Sequence, residues 1–594
     1  MLQCAMSKAR CAIPRLSPCR EGAARFASPP MSRGFAWMVF SVTCLFFGAF
    51  FVWPILQILR GGFLTPDGNF TFGYVREIFS DPIYLECFGN SFLLALCTTT
   101  TAFAIAMPLA FVADRFIYPG KQLLGALVLV PMILPPFVGA IGIRQVFGQY
   151  GAFNALLTMF GLLEQGATID WFASSQFWGV VVVQALNLYP IMYLNIVASL
   201  ANVDPAMEEA AANLGCTGFR RFRRITLSLI NPGVFAGATI VFIWAFTELG
   251  VPLIFDFSRV TSVQIYHGLK DIGDSPFPYA LVAVMLACSV ALYALGKGLF
   301  GRKSYAMMAK ATSTGGARDP GPVRAILCTA MFVSVTGVAV LPHIGVILVA
   351  FSADWYGTVL PDHFTLANFE MALGHSLTVP SIANSLKFAG LSTIADIVVG
   401  LAIAYVIVRT RIPGRGVLDA LAMMPLAVPG LVLAFGYLAM SQEGRFFGFL
   451  NPIENPTALL IIAYAVRRLP YMVRAAIAGF QQTSETLEEA AQNLGCPPLK
   501  AVFKVTLPLI MANVIAGALL AFSFAMLEVS DSLILAQKQV FYPITKAIFE
   551  LFQLLGDGRF LASALGVWAM VFLAVTIVGM SLLLGKRLGA IFRV

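Results

Sequence analysis

Long, uninterrupted apolar runs dominate this chain, and they restrict its possible folds more than any other sequence feature. An α-helix needs roughly 20 apolar residues to cross the hydrocarbon core of a bilayer. The runs lack the period-two alternation of a membrane barrel, so each predicts a helix. We place about twelve spans near 35–58, 88–113, 123–147, 177–200, 229–254, 278–300, 325–351, 385–408, 416–440, 457–480, 509–535 and 561–585.

Composition agrees with a bilayer as the solvent. The chain is 59% hydrophobic and 12% charged, whereas soluble domains are about 25% charged. No polar stretch is long enough for a separate soluble domain. The fold class predicted is therefore an all-α integral membrane protein.

The formal net charge of +9 does not indicate nucleic acid as a partner. The basic residues cluster between apolar runs, as in the group Arg220, Arg221, Arg223 and Arg224. Segments 149–176 and 353–383 contain no Lys or Arg. Because basic residues concentrate on the cytoplasmic side, this asymmetry predicts a multi-pass protein of the cell's inner (cytoplasmic) membrane with both termini in the cytoplasm.

The polar segments divide the chain into four parts. Residues 1–33 form a basic tail, and the apolar run after it exceeds the roughly 7–15 residues of a signal-peptide core, so we predict a retained first helix. Either Met1 or Met31 serves as the start. Residues 301–324 are rich in Gly, Ser and Pro and read as a cytoplasmic linker. Two six-helix modules, 34–300 and 325–594, flank it.

The two modules repeat each other in sequence. Asn90-Ser91 recurs as Asn384-Ser385, 294 residues later, and the offset becomes 280 further along, where Glu248 matches Glu528. With six spans each, both modules run in the same direction. This is a parallel repeat about an axis along the membrane normal.

The most specific pattern lies in two loops predicted to be cytoplasmic. They read EEAAANLGCTGFRRFRRITLSLI from 208 and EEAAQNLGCPPLKAVFKVTLPLI from 488. Glutamate near a helix start complements its dipole, small residues allow close approach by another protein, and glycine can end a helix in the left-handed conformation. Each loop thus predicts a short helix and turn that dock a partner, through Glu209, Ala210, Ala211 and Gly215, and Glu489, Ala490, Ala491 and Gly495.

Both loops resemble the EAA loop of permeases in binding-protein-dependent ABC importers. The family pattern is Glu-Ala-Ala, three residues, Gly, nine residues, then Ile-x-Leu-Pro. This chain departs from it at Ser228, where the family has Pro, and at Val505, where it has Ile. The resemblance covers nearly all of the chain after residue 35. It implies the type I import fold, with each EAA loop docked into a groove of an ATPase subunit.

The same resemblance implies the partners and the cargo. We expect two copies of a cytoplasmic ABC ATPase and an external solute-binding protein, besides membrane lipid. The chain has no GxxxxGK[ST] phosphate loop, so we expect no ATP hydrolysis, catalytic residue or cofactor in it, with ATP bound by the partner. Within the family, the fusion and the stretch VRRLPYMVR at 466–474 look most like ferric iron permeases; 2-aminoethylphosphonate, thiamine and polyamine are alternatives.

Charged residues inside predicted spans are costly and often functional. Glu248 and Glu528 are placed at matching positions in the fifth span of each module, and Asp531 follows Glu528 by one helical turn. Arg467 and Arg468 interrupt the tenth span, whereas Arg144 and Asp396 are weaker candidates. These groups either line the translocation pathway or form interhelical salt bridges. No metal-ligand spacing occurs among the cysteines and histidines.

Three other classes of protein compete with an ABC import permease. An ion-coupled secondary transporter with two repeats needs no ATPase, and the EAA loops would then be accidental. An export permease is disfavoured because the EAA pattern belongs to importers. A membrane scaffold or sensor is disfavoured because there is no additional soluble domain.

Overall fold

A computed structural model describes residues 33–584, except Pro66, 173–175, 272–274 and 301–317. The basic tail up to residue 32, most of the predicted linker and the basic C-terminal residues Lys586, Arg587 and Arg593 lie outside the described residues. The described part is overwhelmingly helical.

Helices of the first half alternate between long apolar segments and short connectors. In chain order they are α1 (Arg33–Phe47), α2 (Trp53–Phe63), α3 (Gly73–Ser80), α4 (Pro82–Arg115), α5 (Lys121–Leu127), α6 (Pro136–Phe147), α7 (Ala152–Met159), α8 (Gln176–Leu200), α9 (Pro205–Asn213), α10 (Gly218–Arg221), α11 (Leu227–Thr247), α12 (Gly250–Ile254), α13 (Thr261–His267) and α14 (Phe277–Phe300).

The second half repeats this order. Its strands β1 (Ser352–Asp354) and β2 (His363–Phe364) form a small antiparallel hairpin. Its helices are α15 (Pro322–Phe351), α16 (Ala367–Gly374), α17 (Thr378–Arg409), α18 (Arg415–Met423), α19 (Gly430–Met440), α20 (Thr457–Gln482), α21 (Glu485–Asn493), α22 (Pro498–Ala501), α23 (Leu507–Met526), α24 (Ser530–Leu535), α25 (Ile544–Phe552) and α26 (Gly558–Leu584).

By length and composition, nine helices within the described residues can cross a membrane, or up to eleven if each of two bent pairs is one span. The bent pairs, Lys121–Ile133 with Pro136–Met159 and Arg415–Leu426 with Gly430–Met440, turn by 94° and 99°. Pro135 and Pro429 lie at the two bends, directly before α6 and α19, where proline interrupts a regular helix. The remaining predicted span, 457–480, is α20, which carries three arginines and is therefore too polar to be counted.

The predicted fifth spans, 229–254 and 509–535, are wrong at both ends. The apolar helices begin earlier, as Gly218–Thr247 and Pro498–Met526. Each then breaks, and a short helix follows, α12 in the first half and α24 in the second. Glu248 and Glu528 therefore lie at the breaks and not inside helices. Hydropathy alone missed the breaks because a span-length window averages over the few polar residues at each, Glu248 in the first half and the run EVSDS at 528–532 in the second.

Each half has a three-helix centre, and its first helix packs against the other half. The centres are α4 with α8 and α11, and α17 with α20 and α23. Helix α2 packs on α19, and α15 packs on α6. We call α2 and α15 the exchanged helices, because each packs against the other half. They interlock the halves, which are therefore not two separately packed domains.

Candidate functional site

The two predicted docking loops fold into nearly identical helix-and-turn units. Helix α9 begins at Asp204, whose side chain accepts from the Ala206 N–H at 2.9 Å, and Ser484 caps α21 through the Thr486 N–H at 3.3 Å. Such oxygen caps satisfy backbone donors that a helix start leaves unpaired. We call α9 with its following turn, and α21 with its following turn, the coupling helices.

Both coupling helices end at a left-handed glycine. Gly215 has φ +79° and Gly495 has φ +86°. The next N–H, of Cys216, bonds to the Ala211 carbonyl at 2.9 Å, and that of Cys496 bonds to Ala491 at 3.0 Å. This is a Schellman turn. A Cβ at either glycine would meet no atom within 4 Å, so conformation and not space requires glycine there.

The exposed residues of each coupling helix include a glutamate, an alanine and a highly exposed leucine. Glu209, Ala210, Glu489 and Ala490 are exposed. Leu214 and Leu494, just before the glycines, are 87% and 90% exposed. Ala211 is buried and Ala491 is half-buried. An unpaired apolar tip beside small residues suits insertion into a groove of another protein.

A buried carboxylate anchors the first coupling helix. Glu208 is 5% exposed, and its Oε1 accepts from Arg115 at the end of α4 at 2.6 Å and from the Thr226 hydroxyl at 2.6 Å. Thr226 ends a π-helical turn, Phe222–Thr226, that leads into α11. The helix is therefore tied to both α4 and α11, two of the three central helices of its half.

The second coupling helix repeats the same anchor. Glu488 Oε1 accepts from Arg409 Nε at 3.3 Å and from the Thr506 hydroxyl at 2.8 Å. These residues lie 280 or 294 positions after their first-half counterparts. Our sequence analysis selected the exposed Glu209 and Glu489 and missed Glu208 and Glu488. The matching Arg115 and Arg409, each at the end of a span, were the available signal.

A buried charge cluster lies in the second half, where α20 meets the break before α24. Arg467 contacts Glu528 at 2.5 Å and Asp531 at 3.1 Å, and Arg468 pairs with Glu528. The Glu528 and Asp531 side chains are 4% and 0% exposed. Four of the five predicted pathway residues thus meet, and they join α20 to the α23–α24 break.

Glu248, the fifth, does not join an ion pair in the described part of the chain. Its Oε1 accepts from the N–H groups of Gly250 and Val251 at 3.1 and 3.4 Å, so it caps α12. The ion pairs of the cluster match the salt-bridge alternative.

The family model for "binding-protein-dependent transport system inner membrane component" matches residues 100–304 and again residues 396–584. The ferric transport system permease protein FbpB of Actinobacillus pleuropneumoniae is 27% identical over 77% of this chain and 64% of its own length. The chain thus spans less than two thirds of that relative.

Two further relatives differ in what their names say they transport. An Fe(3+)-transport system permease protein of Haemophilus influenzae is 23% identical over 78% of this chain and 84% of its own. The sulfate transport system permease protein CysT of Salmonella typhimurium is 25% identical over 41% of this chain and 86% of its own, which corresponds to one half here.

Proposed function

Because the chain belongs to the family of binding-protein-dependent transport system inner membrane components, we propose that it is the fused, two-module permease of an ATP-driven importer. It is a multi-pass inner membrane protein and a transport subunit, not an enzyme. The observation that carries the proposal is the pair of coupling helices, which share caps, turns and buried anchors.

Each coupling helix docks one copy of a cytoplasmic ABC ATPase, which binds the ATP, so this chain needs no cofactor. Glu209, Ala210 and Gly215 form one docking surface, and the buried Ala211 supports it from beneath. Glu489, Ala490 and Gly495 form the other, with the half-buried Ala491 in the matching position. When the ATPase pair closes, the pull on α9 passes through Glu208 to α4 and α11. The anchor of α21 does the same through Glu488.

Closure at the coupling helices rocks the two halves about their interface and opens a central path in alternation. An external binding protein delivers the solute to the opposite face, and both termini lie in the cytoplasm. Glu248, Arg467, Arg468, Glu528 and Asp531 are candidates for lining that path. Ferric iron is our first choice of cargo, because two relatives carry that name; 2-aminoethylphosphonate, thiamine and polyamine are alternatives.

A pull-down tests the proposal. The tagged chain is solubilised from its native membrane in mild detergent, and the recovered proteins are identified by mass spectrometry and assayed for ATP hydrolysis. We expect an ATP-binding subunit with the wild type and its loss in Gly215→Val/Gly495→Val, because L-residues rarely adopt these φ angles.

Gly161→Val is the matched control, since Gly161 also has positive φ and open space but lies far from the coupling helices. It should retain the ATPase. Recovery of the wild-type chain alone, without ATPase activity, would favour an ion-coupled secondary transporter.

A further inference from the structure

A cavity of about 550 Å³ lies between the two halves, away from the coupling helices. Gln176 lines it at the start of α8, whereas the first coupling helix follows the other end of α8, roughly 36 Å away at 1.5 Å per residue. Under the proposed orientation, the cavity is on the outer side. Its volume is in the range of small-molecule sites, roughly 300–1,000 Å³.

Two guanidinium groups line this cavity, one from each half: Arg144 of α6 and Arg559 of α26. Arg144 bonds to Asp256 at 3.1 Å and to the Ile254 carbonyl, so a carboxylate already compensates it. The lining carboxylate, Asp170, accepts from the N–H of Phe172 at 3.0 Å through Oδ1. Because Asp256 offsets Arg144, the argument for a ligand rests on Arg559 and not on an excess of positive charge.

Arg559 has no acidic partner within 4.0 Å among the described residues, yet its position is held from two sides. Its guanidinium carbon lies 4.6 Å from the ring centre of Phe560, a buried ring packed with Trp355 and Val349. Its Nη1 donates to Gln145 Oε1 at 3.3 Å. Gln145 in turn donates to the Trp355 carbonyl at 2.7 Å.

Such a guanidinium is oriented before any ligand arrives, and its planar donors match a carboxylate or phosphoryl group in two-point contact. We propose that this outer cavity binds a solute bearing an oxyanion, with Arg559 as the principal contact. The oxyanion belongs either to a free solute or to an oxygen-donor chelator around ferric iron. A guanidinium without an acidic partner disfavours cations such as thiamine and polyamine at this position. This inference rests on the proposed function and narrows its substrate class.

Binding to the full chain in lipid nanodiscs tests the proposal by calorimetry. The probes are citrate, ferric citrate and 2-aminoethylphosphonate, with thiamine and spermidine as cationic probes. We expect at least one anionic probe to bind, and Arg559→Gln to weaken its binding about tenfold or more, as expected for loss of a charge-assisted bond. Ferric citrate binding without citrate binding identifies the chelate as the source.

Arg445→Gln is the matched control, because Arg445 also donates to a glutamine, Gln57, and lies at the same end of the bundle but lines no part of this cavity. It should bind the probe as the wild type does. If Arg559→Gln fails to fold, Arg559→Lys replaces it, because lysine keeps the charge but loses two-point geometry; it too should weaken binding.

Three results would overturn the proposal: no anionic probe binding to the wild type, equal losses in the Arg559 and Arg445 variants, or binding of thiamine or spermidine in place of the anions. Retention of the ATPase in the pull-down, together with any of these, would remove the cavity proposal while leaving the importer intact. If the wild-type chain recovered no ATPase but still bound an anion through Arg559, the importer proposal would fail and the cavity proposal would stand.

Discussion

The two halves agree at the coupling helices and differ in the membrane interior. Both anchor a buried glutamate between an arginine and a threonine. Inside, the second half holds Arg467, Arg468 and Asp531, where the first has Asn187, Leu188 and Val251.

This difference changes how each half secures its centre. Asn187 donates to the Pro131 carbonyl at 2.8 Å and thereby ties α8 to the bend before α6. Arg467, at the matching position, ties α20 to the break before α24. The duplicated fold thus keeps its two coupling helices alike and diverges in its membrane interior.

Removing the side chain that secures the centre should cost the second half far more stability than the first, because the second has a charged interior. Arg467→Ala leaves buried Asp531 without a partner, and we expect a loss of about 3–5 kcal/mol, whereas Asn187→Ala costs about 1 kcal/mol. Thermal unfolding of the purified variants, followed by size-exclusion chromatography, measures both. Adding Asp531→Asn to Arg467→Ala should recover part of the loss. Equal losses in the single variants would remove the distinction between the halves.

The next largest difference in stability should lie between the glutamate–arginine anchors of the two coupling helices. The Arg409 side chain is 3% exposed and that of Arg115 is 27% exposed, so water can replace Arg115 more readily. We expect Arg409→Gln to cost about 2–3 kcal/mol and Arg115→Gln about 1 kcal/mol. Hydrogen exchange of each coupling helix should show faster opening in the corresponding variant. A larger effect from Arg115 would contradict the dependence on burial.

A smaller difference in stability should be found at the contacts that α15 and α2 make with the other half. A Cβ at Gly142 would overlap the Pro342 carbonyl and lie 2.7 Å from the Val346 nitrogen, both backbone atoms. At the matching Gly436 it would lie 2.9 Å from Pro54 Cβ. We expect Gly142→Ala to cost about 2 kcal/mol and Gly436→Ala about 1 kcal/mol. Thermal midpoints test the order, and the reverse order would contradict it.

The exposed leucines should not distinguish the halves at all. Because Leu214 and Leu494 are almost fully exposed, Leu→Ala at either should change stability by less than about 0.5 kcal/mol. Both variants should nevertheless retain less ATPase in the pull-down. A change in the thermal midpoint without loss of ATPase would mean that these leucines pack within the chain.

Sequence patterns were sufficient for the fold class, the repeat and the placement of the coupling helices, because these follow from apolar length, offset and glycine position. They failed where backbone geometry departs from hydropathy. The break at Glu248 has few polar neighbours, and the polar run EVSDS at 528–532 is short enough to be averaged out within the predicted span 509–535.

Side-chain direction was the other property that sequence could not supply. Glu208 and Glu209 are adjacent and chemically identical, yet one is buried and the other exposed. The rotation of α9 about its own axis, relative to α4, decides which of the two contacts Arg115. The same holds for Arg559, whose hydrogen-bond partner Gln145 comes from α6, in the other half of the chain.

The three arginines of α20 also have a consequence for how the chain is made. An arginine at the centre of a lone membrane helix costs roughly 2.5–3.5 kcal/mol during insertion. Glu528, which pairs with Arg467 and Arg468, emerges about 60 residues later. We therefore expect α20 to enter the lipid only after α23 and the break that follows it have been made, because Glu528 at that break neutralises Arg467 and Arg468.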